Sequence, residues 1–297
     1  MPNLKKNQRT DVSTVQMILQ QLKLASKRKN GSIRLGKPRR PKSIKPLERR
    51  YFKELMRMMN LAEQITLSEL DKVLESILTT ARFSRPQTDS ARKDEWPTDV
   101  AMVIQSIKTI FSNSYDDKTY ESMAQDQGEA INDYNLGNFK TTFKSVLGLD
   151  YYALEPWVRF EVESFTNINV SYIKSIPTQY FDKVQQIVTN GVTQGKLTRD
   201  IKADLKTAFG LSENKAALIA VDQTNKFNGE LNKVRQTGVG IGSYIWRGVL
   251  DARERPEHVA REGQKFTWES PPWDGAPGQP VRCRCYAEPV FDPSLFE

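Results

Sequence analysis

At Gly238–Gly242 the spacing of apolar residues changes, and that change constrains the fold more than any other feature of the chain. Upstream, apolar side chains recur every three to four residues, which collects them on one face of a helix. Downstream, "SYIWRGV" and "VRCRCYAEPV" alternate in the period of a strand, and "KFTW" is a shorter run of the same kind. Between them lies "SPPWDGAPGQP", whose four prolines and two glycines exclude helix and ladder alike. The expected fold is mainly α: a helical body, a basic disordered N-terminal arm, and a small β-containing (α+β) C-terminal module. The expected division is 1–45 (arm), 46–165 (helical region), 166–240 (helical run-in) and 241–297 (β-rich module).

Within the helical body, Pro46 suits a first turn, and Leu47, Tyr51, Leu55, Met58 and Ala62 follow at helical spacing. "ITLSEL" reads as a new start, with Thr66 and Glu69 as a capping box and Ile65 and Leu70 as its staple. The stripe then runs through Val73, Leu74, Ile77, Leu78 and Ala81. After a loop over 83–99, Val100, Val103, Ile104, Ile107, Ile110 and Phe111 repeat the pattern. The aromatic residues of 115–165 also fall mostly at helical spacings and read as packing. Beyond Pro177, Phe181, Val184, Ile187, Val188 and Val192 share a face. Thr198 reads as a cap for a helix that stops at Gly210, and Ser212 as the start of another ending near Gly238. That last helix is interrupted by Gln223, Thr224, Asn225 and Asn228, which either bond to a neighbouring segment or form an exposed polar face.

Charge is unevenly placed. Residues 1–50 hold 15 Lys or Arg against 2 acids, whereas the other 247 hold 29 against 34, so the formal net charge of +8 originates in the first fifty. A stretch so rich in Lys, Arg, Gly, Ser and Pro cannot bury enough apolar surface to offset its chain entropy and should be disordered alone. Lys27, Arg28, Lys29, Arg34, Lys37, Arg39, Arg40 and Lys42 are its candidate contacts, to nucleic acid or to an acidic protein wall. Met1–Gln20 lacks the apolar block of a secretory leader, and no run is long enough to span a bilayer. Two cysteines one residue apart do not make a disulfide framework, which suits a reducing cytoplasm.

The single histidine, His258, and both cysteines, Cys283 and Cys285, fall in one C-terminal window. If "VRCRCYA" is a strand, Val281, Cys283, Cys285 and Ala287 face one way, and Arg282, Arg284 and Tyr286 the other. The first reading is a structural polar knot of Asp251, Arg253, Arg255, His258, Cys283, Arg284 and Cys285, with no catalytic residue and no cofactor. The second is a structural zinc held by His258, Cys283 and Cys285, with Asp251 or Glu262 as fourth ligand, which would staple a unit of about 55 residues too small to rely on its core. The third is a Cys–His nucleophile pair.

The pattern W-x4-D-x-R-x-R-P-x-H, a glycine, a Pro/Gly-rich loop and then G-x-P-x-x-C-R-C-x-A-x-P resembles the C-terminal signature of the phage head morphogenesis family, the Mu F-like minor head proteins. Here it comprises Trp246, Asp251, Arg253, Arg255, Pro256, His258, Gly263, Gly278, Pro280, Cys283, Arg284, Cys285, Ala287 and Pro289. The resemblance covers about 169–291; residues 1–165 carry no matching motif. It implies a minor capsid protein made in the host bacterial cytoplasm. Such a protein would act with portal, scaffold and major capsid proteins, reside inside the virion head, meet packaged DNA, and use no membrane during assembly. Some relatives carry further toxin domains, and none is expected after Glu297. The competing readings are a Cys/His or metal-dependent hydrolase delivered with the DNA, and a nucleic-acid-binding protein whose helical body displays the arm.

Overall fold

A computed structural model describes Gln20 and residues 35–83, 96–151 and 155–291. Among them, helices α1 (Lys45–Phe83), α2 (Trp96–Ser112), α3 (Asp117–Leu147), α4 (Val158–Gln194) and α5 (Thr198–Gly238) are followed by β1 (Ser243–Arg247), α6 (Pro256–Ala260), β2 (Lys265–Thr267) and β3 (Tyr286–Pro289). The chain is mainly helical with a small sheet near its C-terminal end, as the change of period predicts. It divides into two compact units that take alternate stretches of chain, one of 49–124 and 167–220, the other of the remainder.

In the helical unit the predicted stripes become one core. Tyr51, Leu55, Met58, Leu70, Leu74 and Ile77 of α1 pack with Ile104 and Ile107 of α2, Ile173, Tyr180, Val184 and Val188 of α4, and Ile201 and Leu205 of α5. Gly191 lets α4 approach closely, since a Cβ there would lie 2.6 Å from the Ile201 side chain.

Two expected breaks are absent. Thr66 lies in the middle of α1, buried, and its hydroxyl donates to the Ala62 carbonyl at 2.7 Å. Ser212 lies inside α5, its hydroxyl 3.3 Å from the Ala208 carbonyl, and Gly210 is passed without interruption. A cap needs a non-helical residue before it, and no proline lies between Leu47 and Ile65 or between Thr198 and Ser212 to impose one. The helix does start at Thr198, but Thr198 is not its cap: Leu197 supplies the first helical carbonyl and the Thr198 hydroxyl bonds Glu75. α2 begins at Trp96, inside the expected loop, and α4 continues through residue 165 and the buried Pro177.

The second unit holds the C-terminal module. Its sheet is antiparallel with order β2-β1-β3, pairing Tyr244 with Phe266 and Trp246 with Ala287. Alternation in β1 buries Tyr244 and Trp246 completely. They join Trp268, Cys283, Cys285 and Ala287 in a small core. The module lies against α5: Gln236 donates to the Ala287 carbonyl at 3.1 Å and accepts from the Trp268 indole at 3.2 Å. Gly278, at φ +94°, brings the Pro/Gly loop down on α5, where a Cβ on Gly229 would lie 2.7 Å from the Pro277 carbonyl oxygen.

Polar side chains in the middle of α5 bond to neighbouring segments. Gln127 donates to Thr224 at 2.9 Å, Asn225 to Glu48 at 2.7 Å, and Asn135 to Asn228 at 2.9 Å. Beside them Arg235, 1% exposed, meets Glu155, Asn135 and Asn132, with its guanidinium 5.5 Å from the Trp157 ring centre.

Part of the basic arm differs from expectation. Residues 35–44 form neither helix nor strand but are fixed: Gly36 donates to Val146 at 2.8 Å, Lys42 to Asn138 at 3.1 Å, and Tyr134 to the Lys42 carbonyl at 2.5 Å. Leu35 packs against the cluster of Phe139, Phe143 and Tyr151, while Pro38 and Pro41 reduce the entropy lost on ordering. A Cβ on Gly36 would sit 2.1 Å from the Ser145 carbonyl oxygen, so only glycine permits that approach. Lys37, Arg39, Arg40 and Lys42 keep exposed side chains; Lys27, Arg28, Lys29 and Arg34 lie outside the described residues.

Candidate functional site

The geometry around His258 begins with Pro256, which opens the one-turn helix α6 and needs no backbone donor there. His258 is 2% exposed, and its ring meets Trp246 edge-to-face at 5.1 Å. Nε2 lies 3.0 Å from Asp274 Oδ2, and Arg261 donates to the other Asp274 oxygen at 2.6 Å. Arg261 also stacks over Trp246, its guanidinium 4.9 Å from the ring centre. Nδ1 of His258 lies 3.5 Å from Cys285 Sγ and 3.7 Å from Cys283 Sγ.

The thiols reach that position by a route other than the expected strand. β3 begins only at Tyr286; Arg282 sits at φ 56° and Cys283 N–H closes a turn onto Pro280 at 2.9 Å. Asp222 of α5 secures the turn by accepting from Arg282 N–H at 2.9 Å. The cysteines still share the buried side with Ala287, whereas Val281 is 52% exposed, so alternation fails where the turn replaces the strand.

The two sulfurs have opposite proton affinities. A hydrogen bond from Cys285, the Gly278 N–H at 3.4 Å and the nearby imidazole draw the Cys283 pKa down to about 6. Its neighbour Cys285 is pushed well up by Cys283, by burial and by Glu254, whose carboxylate accepts from that thiol at 3.2 Å.

Neither carboxylate expected as a fourth ligand is near the sulfurs' shared position. Asp251 takes both arms of the Arg284 fork, at 2.5 and 2.6 Å, and Glu262 accepts from Arg247 at 3.2 Å and Gly248 N–H at 2.5 Å. A carboxylate committed to a bidentate arginine is not free to ligate a metal. Arg255 caps the Val281 carbonyl at 2.7 Å, and Arg253 is largely exposed, 3.8 Å from Asp251. Asp274 and Glu254, which complete the surroundings of the histidine and thiols, escape a reading of the sequence: in "WDGAPG" the aspartate looks like a turn residue, and Glu254 like one more charge among arginines. Next to Cys285 lies a cavity of about 410 Å³, lined among others by Glu48, Tyr134, Asn135, Asn225, Asn228 and Arg284.

The Arg284 fork holds the Asp251 carboxyl well below the usual carboxylate range. A group whose folded pKa is depressed contributes stability above its unfolded value, and that contribution disappears as pH falls through the folded one. Asp251→Asn should therefore lower the melting temperature near neutral pH. The gap to wild type should narrow as pH drops below about 4, the ordinary aspartate value; a gap constant with pH in a melting series would contradict this.

This arrangement falls within the match to a known family. The family model "Phage Mu protein F like protein" matches residues 182–288, from the second half of α4 through β3. Over that segment the chain is similar to the phage Mu F-like proteins. The matched segment thus includes nearly all of the sheet, His258, both cysteines and the α5 surface on which they rest. The chain is also 37% identical over 162 residues to an uncharacterized protein of Haemophilus influenzae, covering 53% of this chain and 36% of that protein. No solved structure matches. Among the described residues no helix is long and apolar enough to cross a membrane.

Proposed function

We propose that this protein is a minor head protein of a bacteriophage: it joins the particle during head assembly, working with portal, scaffold and major capsid proteins, and stays inside the head in few copies. The observation that carries this reading is the Mu F-like match, which spans the polar network of His258, Arg261 and Asp274. Such a network gives the module a rigid shape to present to a partner. Trp273, 88% exposed beside Asp274, is the natural anchor for that contact, because large exposed aromatics dominate interface energies. The basic segment that ends in Lys37, Arg39, Arg40 and Lys42 would meet packaged DNA or the inner capsid wall.

A thiol-hydrolase reading has the order Asp274–His258–cysteine in its favour. It has burial against it: Cys283 is 2% and Cys285 8% exposed, and a nucleophile must reach its substrate.

The test is quantitative mass spectrometry of purified heads from a phage encoding this protein. A low, fixed number of copies per particle is expected, and Trp273→Ala protein, folded by circular dichroism, should be incorporated several-fold less. Finished, infectious heads wholly lacking the protein would overturn the proposal.

A further inference from the structure

We infer that His258 Nδ1, Cys283 Sγ and Cys285 Sγ form a zinc site, with Glu254 turning to supply the fourth ligand. These three atoms lie within 4.8 Å of one another and all three residues are buried. Tetrahedral zinc with Zn–S near 2.3 Å and Zn–N near 2.05 Å separates sulfur from nitrogen by about 3.6 Å. The observed separations are 3.5 and 3.7 Å.

Second, the surroundings select the ligating nitrogen. Asp274 accepts from Nε2 at 3.0 Å and is itself held by Arg261, so the lone pair on Nδ1 points at the sulfurs. A histidine whose far nitrogen is bound to a carboxylate is the usual support for a metal-bound imidazole. Third, one nitrogen lone pair faces two sulfurs, while the Cys285 proton is directed at Glu254. A cation satisfies all three atoms together. Fourth, the Gly278 N–H, 3.4 Å from Cys283 Sγ, is placed to stabilise a thiolate.

Glu254 is the remaining candidate: its Oε2 accepts from Leu250 N–H, while its Oε1 lies 3.2 Å from Cys285 Sγ; Asp251 and Glu262 are bonded to arginines. Two thiolates and an imidazole favour zinc over magnesium or calcium, which prefer oxygen. Binding releases to solvent whatever protons the two sulfurs carry while one Zn²⁺ enters. The ion would tie α6 to the turn at 280–283 and supply the staple that a core of six buried residues lacks. This role is independent of the phage reading.

The test uses the full chain, expressed without an affinity tag and assayed by elemental mass spectrometry. About one equivalent of zinc per chain is expected, falling below about 0.2 in Cys283→Ser. Because that variant can fail to fold, wild-type protein loaded with Co²⁺ gives a second measurement. Sulfur-to-cobalt charge transfer and intense tetrahedral d–d bands should appear, and added Zn²⁺ should remove them. Zinc below about 0.2 equivalents in wild type after incubation with Zn²⁺, or a cobalt spectrum without sulfur bands, would overturn the site. So would a Cys283–Cys285 disulfide in protein purified under argon.

Discussion

Arg235→Ala should destabilise the protein by about 3–5 kcal/mol, the usual consequence of removing one partner from a buried ion pair. The Arg235 side chain is fully buried, and its Glu155 partner is 9% exposed. Its guanidinium donates to both Glu155 oxygens at 2.9 and 2.8 Å, to Asn135 at 2.6 Å and to Asn132 at 2.5 Å. Truncation leaves a carboxylate and two amide oxygens without their arginine donor beside the Trp157 ring. The double variant Arg235→Met with Glu155→Leu removes both charges and should recover most of the loss, because burying the pair is itself costly. Urea denaturation at constant m-value would measure both. A single-variant loss below about 1 kcal/mol would show the pair to be solvated.

Gly229→Ala should reverse the sign that helix propensity assigns it. Glycine to alanine inside a helix ordinarily stabilises by about 0.5–1 kcal/mol. At Gly229 the new methyl would lie 2.7 Å from the Pro277 carbonyl oxygen, a backbone atom that cannot rotate away. Separating the loop from α5 to accept it should cost about 1–3 kcal/mol, as overpacking usually does. Gly210→Ala, in the same helix, supplies the control, because nothing lies within 4 Å of its Cβ position. That variant should gain stability while Gly229→Ala loses it. Equal shifts of both in thermal melts would mean that the loop is not seated on α5.

How much of this was legible in the sequence depends on the range of the signal. The stripe from Tyr51 to Ala62 and the alternation around Trp246 are local periodicities, and both identify buried faces. Capping motifs are local too but degenerate: Thr66 and Ser212 are equally suited to bonding the carbonyl four residues back, and the uninterrupted helix decides which occurs. The convergence of His258 with Cys283 and Cys285 was visible because the chain has so few such residues. Its support was not visible. Asp222 reaches Arg282 across 60 residues, and Arg235 reaches Asn135 across 100, separations that no local pattern encodes. The strand expected through "VRCRCYA" fails for the same reason, since Asp222 holds the turn that replaces its first half.

The stretch at 35–44 determines how the second unit responds to a pull from its N-terminal side. Tension entering at Leu35 meets Gly36–Val146 first, near the C-terminal end of α3, and then the Lys42 bonds to Asn138 and Tyr134 two turns earlier on that helix. Peeled away from α3, the segment would load these bonds one at a time, like the teeth of a zipper, before force arrived at Lys45 and the start of α1.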